Sequence, residues 1–205
     1  MTETDGNEQP NARSGPSNRL GRDQWVMAAL YALGESGTDA ISVEPLAKSL
    51  GVTKGSFYWH FEDRRALHEA VLSRWEDIAT AQIIEQVESS AVSDARQRLR
   101  RLFEIVFGGG STGDGIESAM RAWARIDTDV AAAAVRVDQR RLNYVSSLLR
   151  EIGLPRALAD QRARILYRTL VGEFVWRSSG GPRITETEID DLADLLTTPR
   201  LSRGR

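Results

Sequence analysis

Residues Ser42–Phe61 read SVEPLAKSLGVTKGSFYWHF. Val43, Leu46, Ala47 and Leu50 share one face of a helix by the i, i+3, i+4, i+7 rule. Ser42 stands where an N-cap belongs, and Pro45 falls in the first turn, where its missing N–H breaks no intrahelical bond. Gly51 ends this short helix, Val52 plugs the turn, and Thr53 is a second N-cap candidate. A further short helix follows with Phe57 inward. Helix, glycine turn, helix is the helix-turn-helix arrangement. The first helix braces the second, and the second is narrow enough to enter a major groove.

The residue types in this window suit such a task. No acid occurs between Pro45 and Phe61, although the chain holds 29 acids in 205 residues. Lys48, Lys54 and His60 are present instead. Gly55 and Ser56 are short, so the backbone can come close to base edges. Tyr58 and Trp59 adjoin the inward Phe57, so at least one of them must leave the core. An outward hydroxyl and indole suit phosphate hydrogen bonding and packing on a thymine methyl. Asp63 reads as the cap of a long helix. Arg64 lies in its first turn, beside N–H groups that themselves bind phosphate.

The flanks read as helix throughout. Before the window, Val26, Ala29, Leu30 and Leu33 form an apolar stripe that Gly37 terminates. After it, Leu67, Val71, Trp75 and Ile78 continue one helix to about Val87. A second block begins near Val92, with Leu99, Leu102, Phe103 and Val106 on one face. GGGSTGDG at Gly108–Gly115 reads as a mobile loop. It lacks the lysine and the preceding strand of a phosphate-binding loop. Helical patterns resume over Ile116–Arg125, Val130–Ile152, Arg156–Arg177 and Thr185–Leu196. Gly153-Leu154-Pro155 is a stop signal. No useful β alternation appears.

The expected fold is therefore all-α. Residues 1–18 are rich in small and polar types and read as a disordered tail. Arginines between Arg13 and Arg22 give that tail a second reading, as an arm toward a DNA backbone. Residues 19–65 form a three-helix helix-turn-helix domain. Residues 66–198 form a larger helical domain, and 199–205 a flexible tail.

Composition removes several classes of function. The chain has no cysteine and only two histidines, His60 and His68. Disulfides, thiolate chemistry and a multi-histidine metal site are excluded, and no metal or cofactor is expected. No apolar run reaches the ~18–20 residues of a membrane span. The acidic N-terminus is no signal peptide. The expected location is cytoplasmic, with no membrane partner. The net charge of −2 looks unfavourable for nucleic acid. It conceals a segregation: Pro45–Phe61 has no acid, whereas Glu186–Asp194 has five acids and no base.

Over Arg22–Trp75 the sequence resembles the DNA-binding domain of the TetR family of bacterial transcriptional regulators. The features that carry the likeness are Gly51-Val52-Thr53, the run Gly55-Ser56-Phe57-Tyr58-Trp59-His60-Phe61, and Asp63, Arg64 and Leu67. Beyond Trp75 only helix number and order match, and Met120–Asp127 looks like a common variant of the family's C-terminal domain. The resemblance implies base-edge contact from Lys54, Gly55 and Ser56, with Thr53 at the helix start. It implies phosphate contact from Tyr58, His60 and Arg64, and packing of Trp59 on backbone or a thymine methyl. Lys48 joins this set by its place in the acid-free window. Two departures stand out. Gly21 replaces the usual Ser or Thr cap of the first helix, and Gly55 stands where relatives often have Pro or Ala.

The resemblance also implies a C-terminal domain that binds a small-molecule effector and dimerises. Candidate pocket residues are the aromatics Trp75, Phe103, Phe107, Trp123 and Tyr144, with Arg121 and Arg125 placed to meet an anionic ligand. Core packing is the competing reading of each aromatic. Arg156–Arg177 is apolar on too many faces for a one-sided surface helix. Paired with Thr185–Leu196 across a two-fold axis, it would make a four-helix interface. Leu166, Tyr167, Leu170, Phe174, Ile189, Leu192 and Leu195 are the candidate contacts. The expected protein is not an enzyme. It is a ligand-responsive regulator, a repressor in the usual case, that binds a palindromic double-stranded operator as a homodimer. A helical protein-binding adaptor using Tyr58 and Trp59 is the alternative. An all-helical enzyme using His68, Glu69 and Asp77 is a weaker one.

Overall fold

The computed structural model describes residues 20–89 and 94–198, and within them every regular element is helical. The tails expected over 1–18 and 199–205, including most of the arginine arm, lie outside the described residues, as does Val92. Helix α1 spans Arg22–Ser36, α2 Val43–Ser49, α3 Lys54–Tyr58 and α4 Arg64–Glu76. A π-helical turn, Asp77–Ala81, joins α4 to α5, Gln82–Glu88. Then come α6 (Ala95–Gly108), α7 (Ser111–Trp123), α8 (Thr128–Glu151), α9 (Arg156–Ser178) and α10 (Glu186–Thr197).

The turn between α2 and α3 follows from its glycine. Gly51 sits at φ 68°, in the left-handed region that suits a residue without Cβ. There the Val52 N–H donates to Ala47 O at 2.9 Å and the Gly51 N–H to Lys48 O at 3.2 Å, closing the helix end as a Schellman motif. Ser42 and Thr53 occupy N-cap positions with extended backbone, but neither side chain bonds the helix start. Asp63 does cap α4, its Oδ1 accepting from Ala66 N at 2.8 Å. At α1 the missing hydroxyl of Gly21 is partly offset, because the Gln24 side chain accepts from the Gly21 N–H at 2.7 Å.

Two apolar cores organise the chain. The first joins Trp25, Leu30, Leu33, Ile41, Leu46, Phe57 and Leu67. It does not stop at residue 65, but continues through Trp75 to Ile116, Met120, Trp123 and Val137 on α7 and α8. The second joins Leu99, Phe103, Phe107, Leu148, Leu149, Leu166, Leu170 and Ile189.

The glycine-rich stretch corrects the sequence reading. Only Gly109 and Gly110 separate α6 from α7, and Ser111–Gly115 are helical. Helix propensity is a weak prior that tertiary packing overrides. Here the packing is specific. Asp114 is buried against Arg177, Ile116 enters the first core, and Gly115 lies against Gly34 of α1. A Cβ at Gly115 would stand 2.8 Å from the Gly34 carbonyl oxygen. Two glycines thus set how closely α1 and α7 approach.

This contact predicts opposite effects of two similar substitutions. Gly115→Ala overpacks the α1–α7 contact and costs about 1–3 kcal/mol in urea unfolding. Gly113→Ala meets no atom within 4 Å and gains up to about 1 kcal/mol through helix propensity.

Candidate nucleic-acid interface and internal cavity

Helix α3 is held by one side chain. Phe57 is fully buried, edge-on to Trp25 at 5.4 Å and stacked on Phe61 at 5.2 Å. Anchoring Phe57 turns its neighbours outward. Tyr58 is 63% exposed and Trp59 87% exposed. Thr53, Lys54 and Gly55 are exposed beside them, with Ser56 and His60 half-buried and Lys48 exposed on α2. Arg64 opens α4 and is exposed, with its Nε donating to His68 Nε2 at 3.2 Å. His68 is in turn edge-on to Trp123 at 4.9 Å. Burial and the nearby Arg64 charge lower its pKa, so the imidazole that accepts this bond is neutral.

One feature was missed by the sequence reading. Lys54 is ion-paired with Glu44, the acid immediately outside the acid-free window. Both side chains are largely exposed, so the pair is weak and exchangeable. The signal was available: ten residues separate them across a tight turn that folds α2 onto α3.

The second site is a cavity of about 250 Å³ between α4, α5, α6, α7, α8 and α9. Its wall is mostly apolar, with Ile78, Ile83, Leu102, Val106, Leu166 and Phe174 among its members. Of the seven expected pocket residues, Trp75, Phe103 and Tyr144 line it. Phe107 is buried in the second core, edge-on to Phe103 at 5.8 Å. Trp123 lies in the first core against His68, and Arg125 is exposed beyond the end of α7. Arg121 stands behind the wall, and Arg141, which the sequence reading overlooked, is on it. An arginine amid the polar stretch of α8 carried no sequence signal of burial.

These two arginines share a buried carboxylate. Glu117 Oε1 accepts from Arg141 at 2.8 Å and from Arg121 at 2.9 Å. Its Oε2 accepts from Arg141 at 3.0 Å and from the Trp75 indole at 3.2 Å. Arg141 also donates to Ala79 O and Thr80 Oγ1, within the π-helical turn. Arg121 also donates to Asp138 and the Tyr167 hydroxyl, while its Nε is buried without a hydrogen-bond partner. Burial disfavours the Glu117 anion, but Arg141 and Arg121 outweigh it and hold the carboxyl below its usual range. The Tyr167 phenol is pushed up to about 12, first by its own burial, and stays protonated.

The expected interface residues divide. Leu166, Leu170 and Ile189 are buried in the chain's own second core, and Leu192 packs half-buried against it. Tyr167 and Phe174 line the cavity. Leu195 alone of the seven is well exposed, at 72%. Helical periodicity leaves a different face of α9 outward, carrying Ile165, Val175 and Trp176.

A helix-turn-helix packed against a helical domain with an internal cavity makes this an all-helical chain of two parts. The sequence pattern of bacterial regulatory proteins of the tetR family matches residues 26–71. The chain is 40% identical over 53 residues to the class D tetracycline repressor of Escherichia coli, covering 26% of this chain and 24% of that one. It is 31% identical over 106 residues to the transcriptional activator FasR of Mycolicibacterium smegmatis, covering 50% of this chain and 48% of that one. The matches thus span about a quarter to a half of those relatives' length. A TetR transcriptional regulator from Legionella pneumophila has the same fold, with a TM-score of 0.69 over 91% of this chain and 97% of that chain at 14% identity. Over residues 26–71 the chain is therefore similar in sequence to the TetR family of bacterial regulatory proteins, and over most of its length it shares the fold of a TetR regulator.

Glu117→Gln would leave two guanidiniums buried around a neutral amide. It costs about 3–5 kcal/mol in urea unfolding at neutral pH. Because the folded-state pKa is lowered, the ionised Glu117 contributes its stability above the usual value of 4.5 and loses it as pH falls through the lower folded value. The urea midpoint of the wild type therefore falls more steeply below about pH 4.5 than that of Glu117→Gln.

Proposed function

We propose that the protein is a transcriptional repressor that binds a palindromic DNA operator as a homodimer and is released when a small molecule fills the cavity. The observation that carries the reading is α4. Its first residue, Arg64, is exposed and follows α3 closely in the chain, while Trp75 in its last turn lines the cavity. Thirteen helical residues cover roughly 20 Å, so one rigid element reports on both places.

At the DNA end, Lys54, Gly55 and Ser56 meet base edges, with Thr53 at the helix start. Tyr58, His60, Arg64 and Lys48 meet phosphates, and Trp59 packs on the backbone or a thymine methyl. An indole 87% exposed on a monomer is otherwise an unfavourable apolar surface. At the other end, Arg141 ties α8 to the π-helical turn that continues α4, through Ala79 and Thr80. Such turns interrupt helices preferentially at functional sites. A ligand that repacks this wall shifts α4 and the spacing of the two recognition helices. A coupling of ~1–3 kcal/mol is enough for a ~5–150-fold change in DNA affinity.

The dimer joins α9 and α10 to their symmetry mates through Ile165, Val175, Trp176 and Leu195. Two copies of a five-residue recognition helix read a palindrome that one copy cannot. The domain division at residue 65 is functional on this reading, separating the DNA-reading helices from the sensing helix. The repressor sense follows the class D relative, of which the match covers 24%. FasR carries the opposite sense.

Selection of bound duplexes from a random pool by the apo protein yields a palindrome; recovery of none, by a dimeric protein, overturns the reading in favour of an adaptor. On the selected duplex, Tyr58→Phe weakens binding to specific and random DNA alike. Lys54→Ala also relaxes preference at one position, whereas equal loss on both duplexes contradicts base readout. Glu44→Gln frees Lys54 and removes an acid facing phosphate, tightening binding a few-fold at low salt, an effect that fades as salt rises.

A further inference from the structure

The cavity wall carries charge, yet it offers an anion almost nothing. Arg141 has five N–H donors, and each has a protein acceptor. Nε goes to Thr80 Oγ1, Nη1 to Glu117 Oε1 and the Tyr167 oxygen, and Nη2 to Ala79 O and Glu117 Oε2. The Tyr144 hydroxyl donates to Glu88 Oε1 at 2.7 Å, and the Tyr167 hydroxyl to Asp138 Oδ1. The Trp75 indole donates to Glu117. A carboxylate or phosphate entering this space would have to break an existing charge-assisted bond for each one it makes.

The acceptor side is different. Asp114 forms part of the wall beside Gly110 and Gly113 and is only 3% exposed. Its Oδ1 accepts from Arg177 Nη2 at 2.7 Å, but its Oδ2 is buried without a hydrogen-bond partner. Arg177 reaches only Oδ1: its Nη1 donates to Phe107 O at 2.6 Å, and its Nε, 3.7 Å from Glu173, is itself buried without a hydrogen-bond partner. A buried acceptor left unpaired is costly. Asp114 Oδ2 is thus an unpaired acceptor on a residue of the cavity wall. The positive end of α7 lies at the same wall, but Asp114 in its first turn already faces it.

We propose that the cavity takes a mostly apolar amine or alcohol of about a dozen heavy atoms, and that Asp114 receives its N–H or O–H. The inference rests on the cavity being the effector site, and it adds the class of ligand: a hydrogen-bond donor, with anions excluded. Burial pushes the Asp114 carboxyl up, against the pull of Arg177 and Arg183 and with a like-charged push from Glu173. A bound ammonium stabilises the ionised form, so its binding releases protons and strengthens as pH rises toward neutrality.

Four compounds sharing one skeleton test this on the full chain by isothermal titration: 4-phenylbutylamine, 4-phenylbutan-1-ol, butylbenzene and 4-phenylbutyrate. The amine binds about tenfold or more tighter than butylbenzene, the alcohol falls between them, and the carboxylate is weakest. Asp114→Asn lowers amine affinity about fivefold or more and leaves butylbenzene within about twofold, which also reports that the variant is folded. Should that variant not fold, proton release by the wild type in buffers of differing ionisation enthalpy reads the same contact, for the amine and not for butylbenzene. A carboxylate that binds as tightly as the amine overturns the ligand class while leaving the cavity as a binding site. Equal affinity for all four, without proton release, removes Asp114 from the site. Binding of none removes the cavity reading and this inference together.

Discussion

The side chain on which the C-terminal half depends is the carboxylate of Glu117. Its two oxygens collect the Trp75 indole from α4 and the guanidiniums of Arg121 on α7 and Arg141 on α8. A buried ion cluster is a poor source of stability against an apolar alternative, because desolvation offsets most of the attraction. Its value here is positional. The same Arg141 reaches Ala79 and Thr80, so the cluster fixes both the π-helical turn and the polar end of the cavity. Three helices meet at a point that tolerates only one arrangement of charges, and everything apolar around it is arranged to that constraint.

A second constraint sits in α3, just before the start of α4. Phe57, packed on Trp25 and Phe61, decides which way Tyr58 and Trp59 face. Gly34 and Gly115 let α1 and α7 approach closely enough for one apolar core to run from the helix-turn-helix into the larger domain. A continuous core transmits displacement, whereas a mobile linker would absorb it. The arrangement therefore joins the exposed face of α3 to the cavity through one continuous core.

How much of this the sequence disclosed depends on whether the cause was local. The helix-turn-helix was readable because its determinants are neighbours: a glycine at positive φ, apolar residues at helical spacing, and an aspartate cap on α4. The helices from Thr128 onward were readable for the same reason. The start of α7 was not, since a run of glycines signals a loop, and only contacts with Arg177 and Gly34, far off in sequence, make it helical. Among pocket residues, large aromatics were identifiable as buried, but which of them border empty space is set by the packing of six helices. Arg141 and Glu117 resemble solvent-facing charges in sequence, and the pairing that buries them spans 24 positions. On α9 the apolar excess was visible, but a turn of the helix by one residue separates the inward Leu166 from the outward Ile165.

The central claim is that occupancy of the cavity sets affinity for DNA through α4. Val106 lines the cavity and touches none of the DNA-facing residues named above. The most direct measurement is fluorescence anisotropy of the selected duplex with Val106→Trp, whose indole fills the space without any ligand. With helicity and dimer formation unchanged, the account predicts DNA binding weakened about fivefold or more. A folded, dimeric Val106→Trp protein that binds the duplex as tightly as the wild type would contradict it.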